Sequence, residues 1–565
     1  MSPRILRPTL LALALSLTGA GASPPTPERK PALGDYLRAV VALQGSDYPF
    51  AAEHLLRALA ADPGNRSLRQ QTFLAVALAG RPEASRIASG LPNEPAPIML
   101  LGNEAAIAGR WSDAERIFAG LPHDGGLADA LRPALVAWAL QGEGRTDQAL
   151  QTLAPLVEGD RLPGYFALNA GLIADLAGRD AEAGNEYHLA QTGAAGLNLS
   201  LVRVIASYAA RHGHAADGAA LVHALVAAAP SLAIAETGID ATLDVRPVAN
   251  ARDGLARAYA GAASLLTAQA QKEAPPDKPA AGSTTALLML RFSETLAPGS
   301  SETRLMIADA DQALKALQPA LDVLAPIPAS DPLAPIAQLR EAELLRALGR
   351  DDDARAKLSS LSRAFPHQPE PPRELGEMFS DEKRYREAAD QFDRAIADIG
   401  QPTGDDWELF FDRAIAFDRS GQWNRADSDL HRALSLSPEQ PYVLNYLGYS
   451  YAEQGRDLDD ARHMLERSLD QKPNDGAFLD SLGWIILKQG HVPAAIDTLE
   501  HAAEITPEDA TVNYHLGVAY WQAGRKAEAQ QQWERALILN PDPNDLPKIE
   551  ARLHEAALGS PPPSP

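Results

Sequence analysis

No cysteine occurs anywhere in the 565 residues, which excludes disulfides, thiolate metal sites, a cysteine nucleophile and lipid attachment through a cysteine. Aromatic residues are scarce at 6%, whereas hydrophobic residues reach 45% with Ala and Leu abundant. That balance suits close-packed helices and leaves little for strands. Basic runs are missing as well. With 51 Lys and Arg against 74 Asp and Glu the formal charge is −23, and nucleic acid, which needs a dense basic face, is not an expected partner. The acidity favours solubility and a basic protein partner. After the first residues no apolar run is long enough for a transmembrane helix.

Enzymatic signatures are absent too: there is no G-x-S-x-G, no phosphate loop and no dinucleotide fingerprint. His212, His214 and His223 form the best metal candidate, yet they lack a two-turn ligand spacing with a placed acid. Asp351, Asp352 and Asp353 more simply complement a helix N-terminus. The expectation is a non-enzyme without cofactor or metal.

What the chain does have begins with MSPRILRPTLLALALSLTGAGAS, a cationic start, a short apolar core from Leu10 to Leu17, and Ala20-Gly21-Ala22. These are the parts of a secretory signal, so residues 1–22 are expected to be cleaved after Ala22. Loss of Arg4 and Arg7 with the leader takes the charge from −23 to −25. Export without a lipidation cysteine points to a periplasmic protein that is not lipid-anchored.

A chain of this length is either several domains or one long array, and internal repetition decides for the array. YLGYSYAEQG (446–455), SLGWIILKQG (481–490) and HLGVAYWQAG (515–524) restate one theme 35 and then 34 residues apart. Two small residues mark each unit, 12 or 13 positions apart: Ala308/Ala320, Ala342/Ala354, Gly376/Ala388, Ala414/Ala426, Gly448/Ala461, Gly483/Ala495 and Gly517/Ala529. Large residues follow three after the first small residue (Phe417, Tyr451, Tyr520) and four after the second (Phe392, Leu499, Trp533). Spacings of three and four keep these side chains on one helix face, so each unit is two amphipathic helices that cross at the small positions. A larger residue there would push the backbones apart. Proline or glycine ends each unit, as at Pro438, Pro473, Pro507 and Pro541.

The same interval survives, more worn, at Ala39/Ala51, Gly102/Ala114, Ala137/Ala149, Gly171/Ala183 and Ala206/Gly218. The step from Ala206 to Ala308 is 102 positions, three periods of 34, and is expected to hold helices near 251–270 and 284–297. The proposed organisation is a signal at 1–22, divergent units at 23–235, an irregular helical segment at 236–298 with a surface loop at 271–284, a C-terminal array at 299–541, a capping helix at 542–559 and a disordered tail at 560–565. The cap rests on an Asp start, Pro547 in the first turn and Gly559 as the stop.

The pattern L-G-x-x-Y…A-x-x-x-W…A…P, at Leu516, Gly517, Tyr520, Ala529, Trp533, Ala536 and Pro541, resembles the tetratricopeptide repeat (TPR). The resemblance implies an all-α TPR solenoid, a right-handed superhelix of about 13 units. It also implies that the inward face of the first helix binds partner segments. One residue after the first small position, that face reads Asp309, Glu343, Glu377, Ile415, Tyr449, Trp484 and Val518, acidic and then apolar. Tyr442, Tyr446, Tyr514 and Trp521 add aromatic area near its C-terminal part, the side-chain type that dominates binding energy. The Lys and Asn pairs with which TPR co-chaperones clamp acidic chaperone tails are missing: Asn445/Tyr449, Asp480/Trp484 and Tyr514/Val518 stand there.

YVLNYLGYSYAEQG…DGAFLDSLGWIILKQG is similar to envelope TPR proteins of proteobacteria, including outer-membrane lipoprotein adaptors of carboxyl-terminal processing proteases. That likeness implies a scaffold that docks such a protease and brings cell-wall hydrolases to it. The alternative it leaves open is a component of another envelope-biogenesis, secretion or polysaccharide-export complex.

Overall fold

The computed structural model describes residues 30–159, 161–193, 198–273, 282–543 and 545–557. The expected leader, the centre of the 271–284 loop, Gly559 and the tail lie outside them. The described residues form thirty α-helices and no strand, divided into two compact units, 1–365 and 366–565. Within each unit, antiparallel helix pairs are stacked in sequence order.

The small positions are where the two helices of a pair touch. A methyl group added at Gly376 would stand 2.6 Å from the Phe392 ring, one at Gly483 2.6 Å from Leu499, and one at Gly517 2.5 Å from Trp533. At Gly448 the obstacle is the carbonyl of Ala461, 2.9 Å away. Ala388, Ala461, Ala495 and Ala529 on the second helices are wholly buried. The residue four after each alanine therefore lies over the first small residue, filling the space left by a missing side chain. Unit 1 repeats the arrangement, with Phe118 over Gly102 and Tyr187 over Gly171. Arg66–Leu78 with the six-residue Glu83–Ala88 forms a further pair that the small-residue interval did not single out.

In unit 1 the helices Ala251–Glu273 and Ser283–Leu296 depart from the stacking order. They form a hairpin that packs back on the first helices of earlier pairs, Arg66–Leu78, Pro95–Ile107, Leu127–Gly142 and Pro163–Leu176. The fit is close: a methyl at Gly254 would lie 2.1 Å from the Trp138 ring. Tyr165 Oη donates to the carbonyl of Ala258 at 3.1 Å, and Arg291 Nε to the carbonyl of Leu78 at 3.0 Å. Burial pushes the Glu302 carboxyl up, but Arg257 of the hairpin and Arg203 overcome it and hold the group ionised.

Unit 2 is plainer. Five pairs run from Glu370–Asp381 to Lys526–Ile538, followed by the single helix Leu546–Ala557 with Pro547 in its first turn. One apolar core runs through the unit, from Ala388 and Phe392 to Trp533 and Ile549.

Candidate binding face of unit 2

Three neighbouring first helices of unit 2 carry most of the aromatic residues singled out above: Pro441–Glu453, Gly476–Lys488 and Ala510–Gln522. Their starts and stops follow local chemistry. Asp475 and Asp509 cap the second and third, accepting from the amides of Ala477 and Phe478 and of Thr511 and Val512. Gly490 and Gly524 close them at φ 85° and 79°, a left-handed turn that costs glycine little. Crossing contacts at Gly448, Gly483 and Gly517 set the rotation of each helix, and with it the direction of the residues one after and two or three before.

Those residues converge on His515. The Trp484 indole stacks on its ring at 4.0 Å and 18°, and the Tyr449 ring centre lies 6.1 Å away. His515 Nδ1 bonds the Asp480 carboxylate at 2.8 Å, and Trp484 Nε1 donates to Glu453 at 2.6 Å. His515 is 2% exposed and Trp484 7%. Tyr514 packs beside both rings. Burial first, then Glu453, Asp480 and Asp545, pushes the Tyr449 hydroxyl well above its ordinary range. The face is thus aromatic with a negative border, a combination that receives cations and the apolar stems that carry them.

Other residues of the expected stripe lie elsewhere. Tyr446 donates to Asp418 at 2.7 Å and meets Phe411 edge-on. Tyr442 is 45% exposed and stands against Phe478 and Lys472. Trp521 is buried against Trp533 inside its own helix pair, because four residues after Gly517 is a crossing position. It belongs to the core and not to the face.

The acidic part of the stripe is compensated. Arg340 lies between Asp309 and Glu343 in unit 1, at 3.6 and 2.9 Å, and Arg373 lies 3.5 Å from Glu377 in unit 2. Burial, then Glu377, push the Asp412 carboxyl up to about 7 in spite of Arg373. Asp351–Ala364 does start at its three aspartates, which fill the first turn. His212, His214 and His223 lie nearest to three different carboxylates, Asp180, Asp217 and Glu236.

Sequence reasoning passed over His515 and Glu453 and saw Asp480 only as a failed clamp residue. The available signal was the interval: Asp480 lies three before Gly483 and His515 two before Gly517, 35 residues apart, so an acid and an imidazole face each other across adjacent pairs.

Leu546–Ala557 packs on Lys526–Ile538 at the end of the stack and inserts Ile549 into the core, and Arg552 works against the burial that pushes the Tyr514 hydroxyl up. Among the described residues no helix is long and apolar enough to cross a membrane.

Comparison with known proteins agrees with the repeat geometry. The tetratricopeptide repeat family matches residues 307–369, 411–475 and 510–543, and the TPR repeat family matches 483–524. A TPR repeat-containing protein of Pseudomonas aeruginosa is 28% identical over 198 residues, 35% of this chain and 33% of the relative. An aspartyl/asparaginyl beta-hydroxylase of Mus musculus is 27% identical over 209 residues, 35% of this chain and 28% of the relative. The chain thus spans about a third or less of the length of these curated relatives. Among solved structures, the APC/C hetero-tetramer Cut9-Hcn1 is 15% identical, with a TM-score of 0.37, 93% of this chain and 96% of that one being covered. With small residues where the helices of the repeat pairs cross, stacked helix pairs and repeat matches in both units, the chain is an all-helical tetratricopeptide-repeat protein.

Proposed function

We propose that the protein is a non-enzymatic scaffold, exported to the periplasm, that holds a protein partner on the inner face of unit 2. The cluster of Tyr449, Trp484 and Tyr514 around His515 is the observation that supports this reading, since rigid aromatic side chains next to buried polar pairs are what binding hot spots are made of. The adaptor role, docking a carboxyl-terminal processing protease and presenting cell-wall hydrolases to it, rests on the resemblance of the 442–490 stretch. Residues 1–22 supply the export reading. A component of another envelope complex would use the same face with a different partner.

Periplasmic affinity purification with the tagged chain, followed by mass spectrometry, tests the proposal. Tyr449 is half-buried, so Tyr449→Ala leaves the helix pairs intact and should weaken capture by about 2 kcal/mol, roughly thirtyfold. The mature chain should begin at Ser23. Retention of the partner by folded Tyr449→Ala and Trp484→Ala proteins would remove the face from the function, and intact Met1 material in the cytosol would remove export.

A further inference from the structure

Four arginines of unit 1 gather on two carboxylates. The helix Leu199–Arg211 carries Arg203, Ser207 and Arg211 on one face, four residues apart. Arg211 grips Asp175 with both terminal nitrogens, Nη1 at 3.0 Å, and Arg246 approaches the same carboxylate with Nε at 3.3 Å. Two turns back along the helix, Arg203 donates to Glu302 at 3.2 Å, and Arg257 of the hairpin stands 3.6 Å from that acid. The loop around Arg246 is tied to both sides. The Val245 carbonyl accepts from Ser207 Oγ at 2.8 Å, and the Pro247 carbonyl from Arg257 Nε at 3.1 Å.

The acids form a floor and the guanidiniums lie above it. Asp175 and Glu302 are buried, whereas Arg203 and Arg257 are partly exposed and the Arg246 side chain is 42% exposed. A buried carboxylate needs a counter-charge, and one guanidinium for each would balance the charge. Four arginines over two carboxylates leave two positive charges in excess, within a chain of formal charge −23. Among the described residues no third carboxylate lies within 4.0 Å of the four. Both Nη atoms of Arg246, and Nε and Nη2 of Arg203, make no hydrogen bond there. Unused donors on guanidiniums that are already held in place suit a carboxylate, since the planar fork matches its two oxygens and little side-chain freedom is left to lose.

From this layering we infer that the arginine cluster docks an acidic segment of a protein partner, an extended stretch with two carboxylates four residues apart, one meeting Arg246 and the other Arg203. Arg203 and Arg211 are eight residues apart on their helix, about 12 Å, and four residues of extended chain span about 13 Å. A polyanion of uniform charge is a poorer fit, because the acidity of the rest of the chain repels whatever extends beyond the cluster. Val245, exposed next to Arg246, offers apolar contact that a protein segment can use. The site lies in unit 1 and does not rest on the proposed role of the unit 2 face.

The test is fluorescence polarisation on the full chain with a fluorescein-labelled nonapeptide that has Glu at its third and seventh positions and uncharged residues elsewhere. The wild-type chain should bind it, and Arg246→Gln and Arg203→Gln should each weaken binding at least about tenfold, the scale of one charge-assisted hydrogen bond. Arg211 stays on Asp175 and Arg257 on Glu302 in these variants, so their melting should follow the wild type. A peptide with a single Glu should lose about as much as either variant, and one with Lys in both places should not bind. Binding should be unchanged by Tyr449→Ala in unit 2. No binding to the wild-type chain, or equal binding to folded Arg246→Gln and Arg203→Gln chains, overturns the inference. So does loss of binding on Tyr449→Ala, which moves the peptide to unit 2, or equally tight, arginine-dependent binding of an oligothymidylate, which makes the cluster a general anion site.

Discussion

Both units stack helix pairs and lay a further part of the chain against them, a hairpin on first helices in unit 1 and a last helix on Lys526–Ile538 in unit 2, but with different hold. In unit 1 the cover is a two-helix hairpin of 23 and 14 residues whose Leu255, Tyr259, Leu287 and Phe292 are buried in full, with backbone carbonyls bonded across the seam. In unit 2 the cover is one helix of 12 residues with a single fully buried side chain. The same repeat design therefore carries a cover that has become core and a cover held at one buried side chain. Burial of apolar area decides which, because each large side chain withdrawn from water adds roughly 1.5–3 kcal/mol to the hold of the cover.

Truncating the cover of unit 1 gives the largest contrast. Phe292→Ala should cost about 3–5 kcal/mol by chemical denaturation of unit 1, since it empties a fully buried ring site beside Tyr259. Fluorescence and circular dichroism should both report the loss, and a change under about 1 kcal/mol would mean that the hairpin is no more tightly held than the last helix of unit 2.

Next comes a crossing residue of unit 2. Gly517→Ala puts a methyl against the buried Trp533 ring, which has no room to withdraw, and should destabilise unit 2 by about 1–3 kcal/mol.

Ile549→Ala should cost less than an ordinary buried aliphatic truncation, because the loss cannot exceed the free energy with which the last helix is docked, about 1–2 kcal/mol. A loss of about 4 kcal/mol would place this helix with the unit 1 hairpin as permanent core.

The smallest effect is expected at Asp412, whose carboxyl is pushed up to about 7 by burial and by Glu377. Its ordinary value is 3.8, so between about pH 4 and pH 7 the folded chain holds a proton that the unfolded chain has released. Stability from this group is full below that window and falls as pH rises through it. Asp412→Asn should therefore raise the melting temperature of unit 2 by about 2–4 °C at about pH 7.5 and leave it unchanged near pH 4. A stabilisation of equal size at both pH values would assign the gain to packing.

Much of this is legible in the residues alone. The glycine or alanine, the alanine 12 residues on and the large residue four after that are all local, and their contact follows from helix geometry. Glycine faces a ring at Gly102, Gly171, Gly376 and Gly517, so even the volume match could be read off the chain. The same register puts Tyr449 and Trp484 one after a crossing glycine, where both rings lie against His515. Trp521 was misplaced because an aromatic near a groove position looks the same in sequence whether it turns towards the groove or towards its paired helix; three residues, about 60° around the helix, separate it from the groove position at 518, and that turns it onto Trp533.

The covers belong to a different class of information. The repeat interval and local start and stop signals announced helices near 251–270 and 284–297 and a capping helix at 542–559, and Ala251–Glu273, Ser283–Leu296 and Leu546–Ala557 stand there. Which surface each would meet was settled only in three dimensions, by contacts spanning 93 residues from Tyr165 to Ala258 and 213 from Leu78 to Arg291. An apolar stripe states that a helix has something to bury but not against what, since hydrophobic burial has no direction and every exposed first helix offers a similar face. Period and crossing were properties of neighbouring residues and could be deduced. The difference between a sealed cover and a lightly held one came from how much apolar area each segment could bury against the stack.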